Sequence, residues 1–545
     1  MEDRPIQDNE APEVNVNHPA PCPRLGRALY FMKNRRAPDI ADPPVPPLLP
    51  PPPLPPGEPM AAMDAAWLRL DTPTSRMVIV SLLMLRPSIT LAALRAQVEA
   101  RLLRHDRFRQ RVVDEAPGPR WEEDPAFDLG RHVQAETLPR RRAQSLEAAL
   151  KARVADLAAE PLDPAHPLWA MHLVEAYDGG SALIVRVHHC IADGLALIAV
   201  ILSITDGGAL PVSAARVPPG GAEGEGWTDA FLKPISDWTV RALQDRASRA
   251  GQPQGGKGSK DGKASKDGKA SKGSKGAPPA GDDGSAAAAE FLSAQMASDI
   301  AALAIVEDDS PTRLKGRPGR TKRVAWGHGV PLDAVQAVGK SLGVSVNDVL
   351  MSCVAGAIGA YLRAHGDDTR GQEIRAMVPV NLRPMEDAWQ LGNRFGVVPL
   401  VLPIGLSNPV QRLYAVHSRM KALKSSLQPV LAFGLMAAAG LLRPEQQRLL
   451  NDFQRKATAV MTNVPGPSAP LQFCGAQVER VMFWVPQSGD VGVGVSLLTY
   501  AGQVQFGLLT DAGLCPDPQA IVDAFEPEFQ QLLTLALMLP WEAGA

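Results

Sequence analysis

The sequence has no excess of charge of either sign. Its 545 residues include 56 Lys and Arg against 58 Asp and Glu, a formal net charge of −2. A nucleic-acid-binding domain normally carries a clear basic excess, so this balance argues against a nucleic-acid partner. At about 150 residues per domain, the length leaves room for roughly two to four domains or lobes.

Cysteine is scarce and scattered. No two cysteines are arranged as C-x-x-C, and their number is odd, which is typical neither of a disulfide framework nor of a structural zinc site. We therefore expect a reduced intracellular protein. The five cysteines are Cys22, Cys190, Cys353, Cys474 and Cys515.

Long apolar runs are also missing. No stretch approaches the roughly 18–20 apolar residues that a membrane-spanning helix needs. The longest candidate, Val430 to Leu442, is too short and contains two glycines. The first five residues, Met1 to Pro5, lack the basic start and apolar stretch of a secretory signal, so we expect no export.

Proline and glycine are abundant, at 51 and 47 residues, and they concentrate in two segments. Residues 1–59 end in a proline-rich run from Pro43 to Pro59, which predicts a disordered, extended tail. Within it, Leu25 to Arg36 mixes basic and aromatic residues and is either a plain tail or a contact for an anionic membrane surface. Residues 241–294 are rich in Gly, Ser and Lys, which predicts a flexible linker.

Two lobes are predicted on either side of this linker, at residues 60–240 and 295–545. Apolar patterning predicts helices at residues 91–103, 195–204, 332–342, 347–362 and 518–538, with Thr90 as the N-cap of the first. It predicts strands at residues 77–85, 183–188, 374–381, 396–402, 481–485, 491–500 and 503–509. A buried strand that runs directly into a buried helix, as at residues 183–204, indicates an α/β fold.

The motif His188-His189-Cys190-Ile191-Ala192-Asp193-Gly194 lies at this strand-to-helix junction. Junctions of this kind present reactive side chains in α/β proteins. Side chains alternate along a strand, so His188 and His189 should point in opposite directions, one into a cleft and one into the scaffold. Asp193 is placed to cap the helix, and Gly194 allows a tight turn or a close backbone approach.

Several chemical interpretations of this motif can be compared. Each residue can be purely structural, with the histidines buried in the core and Asp193 an N-cap. A metal site is disfavoured because H-E-x-x-H and a cysteine cluster are both absent. A serine hydrolase is disfavoured because no G-x-S-x-G elbow is present. The pair fits a histidine general base that acts without a metal or a covalent nucleophile.

The motif resembles the HHxxxDG signature of the CoA-dependent acyltransferase superfamily, which includes chloramphenicol acetyltransferases and peptide-synthetase condensation domains. The flanking segments are similar to those of the bacterial wax ester synthase/diacylglycerol acyltransferase family. These segments are Asp64–Asp71 with Pro73, Pro167–Trp169, Val346–Leu350, Val378–Pro384, Leu391–Gly396 and Thr462–Pro467. The similarity covers roughly residues 60–240 and 295–540, and the proline-rich tail and the linker lie outside it.

The resemblance implies an α/β fold of two chloramphenicol-acetyltransferase-like lobes with a substrate tunnel between them. It implies that His189 is the general base, with an ordinary imidazole pKa near 6.5, and that it deprotonates the acceptor hydroxyl for attack on an acyl-CoA thioester. His188 and Asp193 would support the site, and Gly194 would form a turn or the tunnel floor.

Other positions follow from the same resemblance. Asn347, Asp348, Thr462 and Asn463 are candidates for an oxyanion donor or for the tunnel wall, and a plain helix cap explains Asn347 equally well. Pro167, Leu168 and Trp169, together with Val430 to Leu442, are candidates for the lipid path, although core packing explains them nearly as well.

The predicted reaction moves a fatty acyl group from acyl-CoA to diacylglycerol, giving triacylglycerol, or to a long-chain alcohol, giving a wax ester. We expect no bound cofactor and no metal, with acyl-CoA as co-substrate. The expected location is the cytoplasm, peripherally on the inner membrane face or on lipid inclusions. Two alternatives remain open: a condensation-type or polyketide-linked enzyme that uses a carrier-bound acyl group, and a catalytically dead lipid-inclusion surface protein.

Overall fold

The computed structural model describes residues 57–115, 118–206, 309–382, 391–424, 426, 428–441 and 456–539. Its helices are α1 Ala62–Leu70, α2 Leu91–Arg101, α3 Leu129–His132, α4 Leu146–Ala159, α5 Gly194–Ile204, α6 Leu332–Leu342, α7 Val346–Ala364, α8 Pro409–Lys424, α9 Gln428–Leu441 and α10 Pro518–Met538. The linker, the Leu25 to Arg36 segment and the predicted tail up to residue 56 lie outside the described residues. The tail was predicted to run to residue 59, but Glu58–Pro59 form a short strand that pairs with Arg120 and Trp121, so the ordered region begins earlier than predicted.

The strands lie between these helices, singly or in consecutive groups. They are β1 Glu58–Pro59, β2 Val78–Arg86, β3 Gln110–Glu115, β4 Gly118–Glu123, β5 Val133–Ala135, β6 Trp169–Tyr177, β7 Gly180–His188, β8 Lys322–Trp326, β9 Val330–Pro331, β10 Ile374–Asn381, β11 Phe395–Leu402, β12 Ala459–Pro465, β13 Gln472–Phe473, β14 Ala476–Trp484, β15 Val493–Tyr500 and β16 Gln503–Asp511.

Two large sheets organise the described part of the chain, which confirms the predicted α/β class with two sheet-rich regions. The first sheet has the strand order β13-β14-β2-β7-β6-β5, and the second has the order β11-β10-β12-β15-β16-β8, with β9 also paired to β16. A small third sheet has the order β1-β4-β3. The predicted tunnel between the lobes stays a prediction.

The predicted helices and strands recur with small shifts at their ends. Thr90 caps α2 as predicted, because its hydroxyl accepts a hydrogen bond from the Ala93 amide at 3.2 Å. The helix is shorter than predicted, since its last turn, Leu102–Arg104, is a 3₁₀ helix. The strand predicted at residues 481–485 is longer at its start and begins at Ala476.

The two sheets do not divide the chain in the way that the sequence suggested. Residues 472–484 were assigned to the second lobe, yet β13 and β14 belong to the first sheet, where β14 pairs antiparallel with β2 from Gln477–Arg86 to Trp484–Val80. The first sheet is therefore complete only when the later part of the chain contributes its edge.

Packing also joins the two sheets. One apolar cluster combines Val80 and Leu150 of the first lobe with Trp326 and Leu509 of the second and with Trp484 of β14. The indole rings of Trp326 and Trp484 lie 5.6 Å apart. Burial of such large aromatic surfaces contributes to holding the sheets together.

None of the described helices is by itself long and apolar enough to cross a bilayer. One bent pair, α6 with α7, reaches that length and composition only when the two helices are taken together, and their axes differ by 101°.

Candidate active site

The paired histidines lie at the end of β7, a central strand of the first sheet. β7 ends at His188, which lies opposite Val78 of β2. The amide of His188 donates to the Leu168 carbonyl at 2.9 Å, and the amide of His189 donates to the Met77 carbonyl at 2.7 Å. The backbone of the pair is therefore held between the two chain segments that enter the neighbouring strands.

The His188 ring is buried and fully engaged by the scaffold. Its Nδ1 accepts a hydrogen bond from the Cys190 amide at 3.1 Å, so the proton of the neutral ring must be on Nε2. That atom faces the Asp71 carboxylate at 3.4 Å, and Asp71 also pairs with Arg76 at 2.6 Å. Burial alone would raise the pKa of Asp71, but hydrogen bonds from His188 and Arg76 bring it below its ordinary value.

The His189 ring lies between aromatic side chains. The Trp67 indole stacks on it with 4.3 Å between ring centroids and 16° between planes, and the Phe395 ring lies 5.6 Å away. The residue is 7% exposed. Burial, reinforced by the nearby His188, lowers the pKa of His189 to about 4, which differs from the ordinary value near 6.5 that we expected. The imidazole is therefore neutral at pH 7.

Asn393 and Asp64 complete the surroundings of this ring. The Nδ1 atom of His189 lies 3.0 Å from Oδ1 of Asn393. Nδ2 of Asn393 donates to the His189 carbonyl and to Oδ1 of Asp64, both at 2.8 Å. The Asn393 amide also donates to Oδ1 of Asp64, at 3.1 Å. Nε2 of His189 makes no hydrogen bond within the part of the chain that the structure describes.

The segment that carries Asn393 lies against the HHxxxDG motif like a short strand. The Gly392 amide donates to the Ile191 carbonyl at 3.1 Å, and the Asp193 amide donates to the Gly392 carbonyl at 3.3 Å. Gly392 has φ of +101°, a conformation that favours glycine. This conformation lets the chain turn beside Asp64 before β11 begins.

Asp193 caps α5, the helix that follows the motif. Its Oδ1 accepts a hydrogen bond from the Ala196 amide at 2.9 Å, and its Oδ2 accepts one from the Arg394 amide at 3.2 Å. Gly194 is the first residue of α5, and its φ is not in the left-handed region. A Cβ at Gly194 would meet Val464 at 3.7 Å, an ordinary contact distance. Its role in a tunnel stays a prediction.

Asn347 and Asp348 lie in the first turn of α7, but neither is the N-cap. Ser345 is the cap, and Asp348 completes a reciprocal capping box with it. His417 also bonds Asp348, at 2.8 Å. Within the described residues, the Asp348 carboxylate binds this cap and His417 rather than either motif histidine.

Thr462 and Asn463 lie on β12, beside α7. The Asn463 side-chain amide donates to the Asn347 side-chain oxygen, so these two predicted residues are in direct contact. Thr462 is buried. The next residue on the strand, Val464, is the neighbour of Gly194 noted above. The structure therefore brings the end of β12 close to the start of α5, without a hydrogen bond from either residue to His189 among the described residues.

The Pro167–Trp169 segment is buried in the first lobe. The Trp169 indole donates to the Phe108 carbonyl at 2.8 Å and stacks on His132 at 4.5 Å. The Leu168 carbonyl holds His188, as described above. Much of Val430 to Leu442 forms α9, which packs against α1 and β11, whereas Leu442 lies outside the described residues.

A small apolar recess, partly open to solvent, lies on the α5 side of the first sheet. Trp169 of the predicted lipid path, Val187 of β7 and Leu197 of α5 are among its lining residues, whereas His189 is not. Among the described residues, no group of three or more His, Cys, Asp or Glu is arranged to hold a metal ion.

Sequence reasoning missed Asn393 and Asp64 as members of the site. Both occur in segments that supported the family resemblance, but they are 329 positions apart. A single sequence carries no signal that joins two such positions. The presence of both segments in a recognised motif set was the only indication that either residue matters.

Comparison with known families gives two matches in chain order. Residues 60–350 match the wax ester synthase/diacylglycerol acyltransferase catalytic domain, and residues 391–533 match the WS/DGAT C-terminal domain. The first match alone covers more than half of the chain and includes the HHxxxDG motif, and the second includes Asn393.

Individual proteins named as diacylglycerol O-acyltransferases are also similar to this chain. A probable diacylglycerol O-acyltransferase of Mycobacterium tuberculosis is 28% identical over 436 residues, covering 79% of this chain and 84% of that protein. A putative diacylglycerol O-acyltransferase of Mycobacterium bovis is 26% identical over 497 residues, covering 87% and 90%.

Solved structures share the fold. The wax ester synthase/diacylglycerol acyltransferase from Marinobacter aquaeolei VT8 is similar with a TM-score of 0.56 and 20% identity, covering 88% of this chain and all of that one. The first condensation domain of the CDA synthetase is similar with a TM-score of 0.50 and 15% identity, covering 88% and 96%.

Proposed function

The chain belongs to the wax ester synthase/diacylglycerol acyltransferase family and is an acyltransferase, and we propose that it transfers a fatty acyl group from acyl-CoA to diacylglycerol or to a long-chain alcohol. The observation that carries this proposal is the neutral, aromatic-walled ring of His189 at the junction of strand and helix. His188, by contrast, is fully bonded to the scaffold.

In the proposed reaction, His189 accepts the proton of the acceptor hydroxyl while the oxygen attacks the thioester carbonyl carbon of acyl-CoA. The resulting tetrahedral intermediate collapses, the carbon–sulfur bond breaks, and the imidazolium returns the proton to the leaving thiolate. The products are an ester and free CoA. General-base catalysis of this kind contributes about 10²–10⁴-fold to a rate.

Donors to the developing oxyanion supply a further contribution in acyl transfer. We keep Thr462, Asn463 and Asn347 as the candidates for this role. The contact between Asn347 and Asn463 and the approach of Val464 to Gly194 support the choice, because they bring these residues toward the start of α5.

The proposal is tested by offering labelled palmitoyl-CoA with hexadecanol and with diacylglycerol in parallel and separating the products by thin-layer chromatography. We expect labelled wax ester, triacylglycerol or both, and we expect His189→Ala to lose at least 10²-fold of that activity. His328→Ala is the matched control, because His328 is exposed and lies in the second lobe. Undiminished synthesis by His189→Ala would refute the general-base assignment.

The same assay separates the alternatives. Turnover with carrier-bound acyl groups but not with acyl-CoA would favour a condensation-type enzyme. No ester from either donor, by protein that is folded and binds lipid inclusions, would favour a non-catalytic surface protein.

We also propose that the protein works at the inner membrane face or on lipid inclusions. Both proposed acceptors are dissolved in lipid, and the end of α10 exposes Leu537 and Met538, which are 60% and 75% accessible. Flotation with lipid vesicles tests the proposal. We expect the protein to float, and we expect Leu537→Glu/Met538→Glu to float less. Wild-type protein that stays wholly in the lipid-free fractions would contradict it.

A further inference from the structure

We propose that Asn393, anchored by Asp64, is a positioning residue that holds His189 in the tautomer with the proton on Nδ1, so that Nε2 is the basic atom. The inference rests on the proposed function, because it concerns the atom that receives the acceptor proton. Neither Asn393 nor Asp64 was among the residues to which the sequence assigned a role.

The orientation of the Asn393 carboxamide follows from its partners. One of its two terminal atoms lies 2.8 Å from the His189 carbonyl oxygen and 2.8 Å from Oδ1 of Asp64. A carbonyl oxygen is only an acceptor, so this terminal atom must be the amide nitrogen. The other terminal atom, which faces the imidazole, is therefore the oxygen.

This orientation determines the tautomer of the ring. Oδ1 of Asn393 lies 3.0 Å from Nδ1 of His189, and an amide oxygen can only accept. Nδ1 must therefore carry the proton. The lone pair of the neutral imidazole is then on Nε2, the nitrogen without a hydrogen-bond partner among the described residues.

Asp64 keeps the carboxamide in this orientation. Its Oδ1 accepts from both the side chain and the backbone of Asn393, and the carboxyl group is buried. A reversed carboxamide would place its oxygen against two acceptors, which is unfavourable in a buried site. Asp64 lies on α1 together with Trp67, so one helix supplies both the stacking surface and the anchor.

The arrangement also crosses between the two parts of the chain. The histidine and Asp64 precede the linker, whereas Asn393 follows it and reaches the ring through the Gly392 bridge to the motif.

The titratable and charged groups around the ring are His188 beside it in the motif, Asp64 on α1, and Asp193 and Arg107, which both act on Asp64.

Three variants test the inference. Asn393→Leu keeps the approximate size of the side chain but removes the acceptor, and we expect kcat to fall roughly 10–100-fold, as is typical when a group that orients a functional histidine is lost. Asn393→Asp keeps an acceptor for Nδ1 but places its second oxygen against the His189 carbonyl and Asp64, so we expect it to recover little of the wild-type kcat at pH 7. Asp64→Ala should also lower kcat. Combined with Asn393→Leu it should cause little further loss of kcat, because Asp64 acts through the same carboxamide.

A direct readout uses protein labelled with ¹⁵N-histidine, with the His189 signals identified by their loss in His189→Ala. We expect wild-type His189 to show a protonated Nδ1 and an unprotonated Nε2, and we expect Asn393→Leu to show a mixture. Thr90→Ala is the control for lost stability, because it removes the N-cap bond to Ala93 in α2 and alters no residue of the site. It should lower Tm and leave the His189 signals and the acid limb of kcat/KM in place.

The outcomes separate this inference from the proposed function. A wild-type Nε2–H tautomer, or unchanged kcat and unchanged signals in folded Asn393→Leu, would overturn the positioning role even if His189→Ala is inactive. Full activity of His189→Ala would instead refute the general base, while the ¹⁵N signals would still report whether Asn393 sets the tautomer.

Discussion

At the scale of single residues, two neighbouring histidines differ because their surroundings differ. Both rings are buried, but both nitrogens of His188 face polar scaffold groups, whereas among the described residues the His189 ring has a hydrogen-bond partner only at Nδ1. The sequence predicted that the pair would divide into one scaffold residue and one reactive residue, because side chains alternate along a strand. It did not predict the strength of the burial around His189.

The pKa of His189 leads to a prediction for the pH dependence of activity. Burial lowers this pKa to about 4, so the free enzyme keeps a neutral, basic imidazole well below pH 6.5. The acid limb of kcat/KM reports the base of the free enzyme. We therefore expect kcat/KM of the wild type to stay nearly level from pH 7 down to about 5 and to fall as the pH approaches 4.

Two controls accompany the pH profile. Activity recovered on return to pH 7 shows that acid has not denatured the protein. Burial also raises the pKa of Asp64 to about 6, and the profile of Asp64→Asn identifies any inflection that belongs to that carboxyl. A single wild-type inflection between pH 6 and 7 that persists in Asp64→Asn would contradict the prediction.

Asp193 gives a second prediction at this scale. Its carboxylate caps α5 and also binds the Arg394 amide, so its main effect should be on stability. We expect Asp193→Ala to cost about 0.5–2 kcal/mol for the lost cap and more for the lost contact with Arg394. Differential scanning fluorimetry measures this as a lower Tm. Asp193→Asn keeps an acceptor for the helix and should lose less. Unchanged Tm with lost turnover would contradict a scaffold role.

At the scale of elements, the position of α9 depends on a glycine in β11. A Cβ at Gly396 would lie 1.8 Å from the Pro429 carbonyl oxygen, a distance that no side chain tolerates. The first turn of α9 can therefore approach β11 closely, and α9 in turn packs on α1, the helix that carries Asp64 and Trp67. A substitution at Gly396 should therefore displace α9 and, through α9, the helix α1 whose side chains surround His189.

We predict that Gly396→Ala destabilises the protein by about 1–3 kcal/mol or more, because a backbone oxygen cannot move away cheaply. Thermal unfolding and the ¹⁵N signals of His189 check the two parts of this prediction. Gly434→Ala is the control within α9, where an added Cβ meets nothing within 4 Å. That change should leave stability unchanged or raise it by up to about 1 kcal/mol. Equal stability of the two variants would contradict the close approach at Gly396.

The sequence predicted local elements well and distant pairings poorly. The strand that ends at His188 and the helix that follows were readable because each is a continuous apolar run bounded by polar residues. The pairing of Arg86 with Glu479, which marks the contact of β2 with β14, spans 393 positions and has no local signature. The contact of Asn393 with His189 could not be predicted for the same reason, because it depends on the docking of a short segment rather than on periodicity.

At the scale of the whole molecule, the linker does not separate two independent sheets. β13 and β14 come from the later part of the chain and complete the first sheet. Lys151 of α4 reaches across in the other direction and donates to Gln519 of α10 at 2.9 Å. Each half of the chain therefore leaves apolar surface and strand edges uncovered without the other, which is unfavourable in water.

This exchange predicts the result of cutting the linker. A protease site inserted between residues 241 and 294 should, after cleavage, give two fragments that elute together and unfold in one transition, because β14 pairs with β2 and Trp484 packs on Trp326. The docked Asn393 would keep its contact with His189, so activity should persist. A second site placed within Pro43 to Pro56, before β1, is the control, since cleavage there should release only the preceding segment. Fragments that separate in buffer without denaturant, or that unfold at two temperatures, would show that the strand exchange does not hold the halves together.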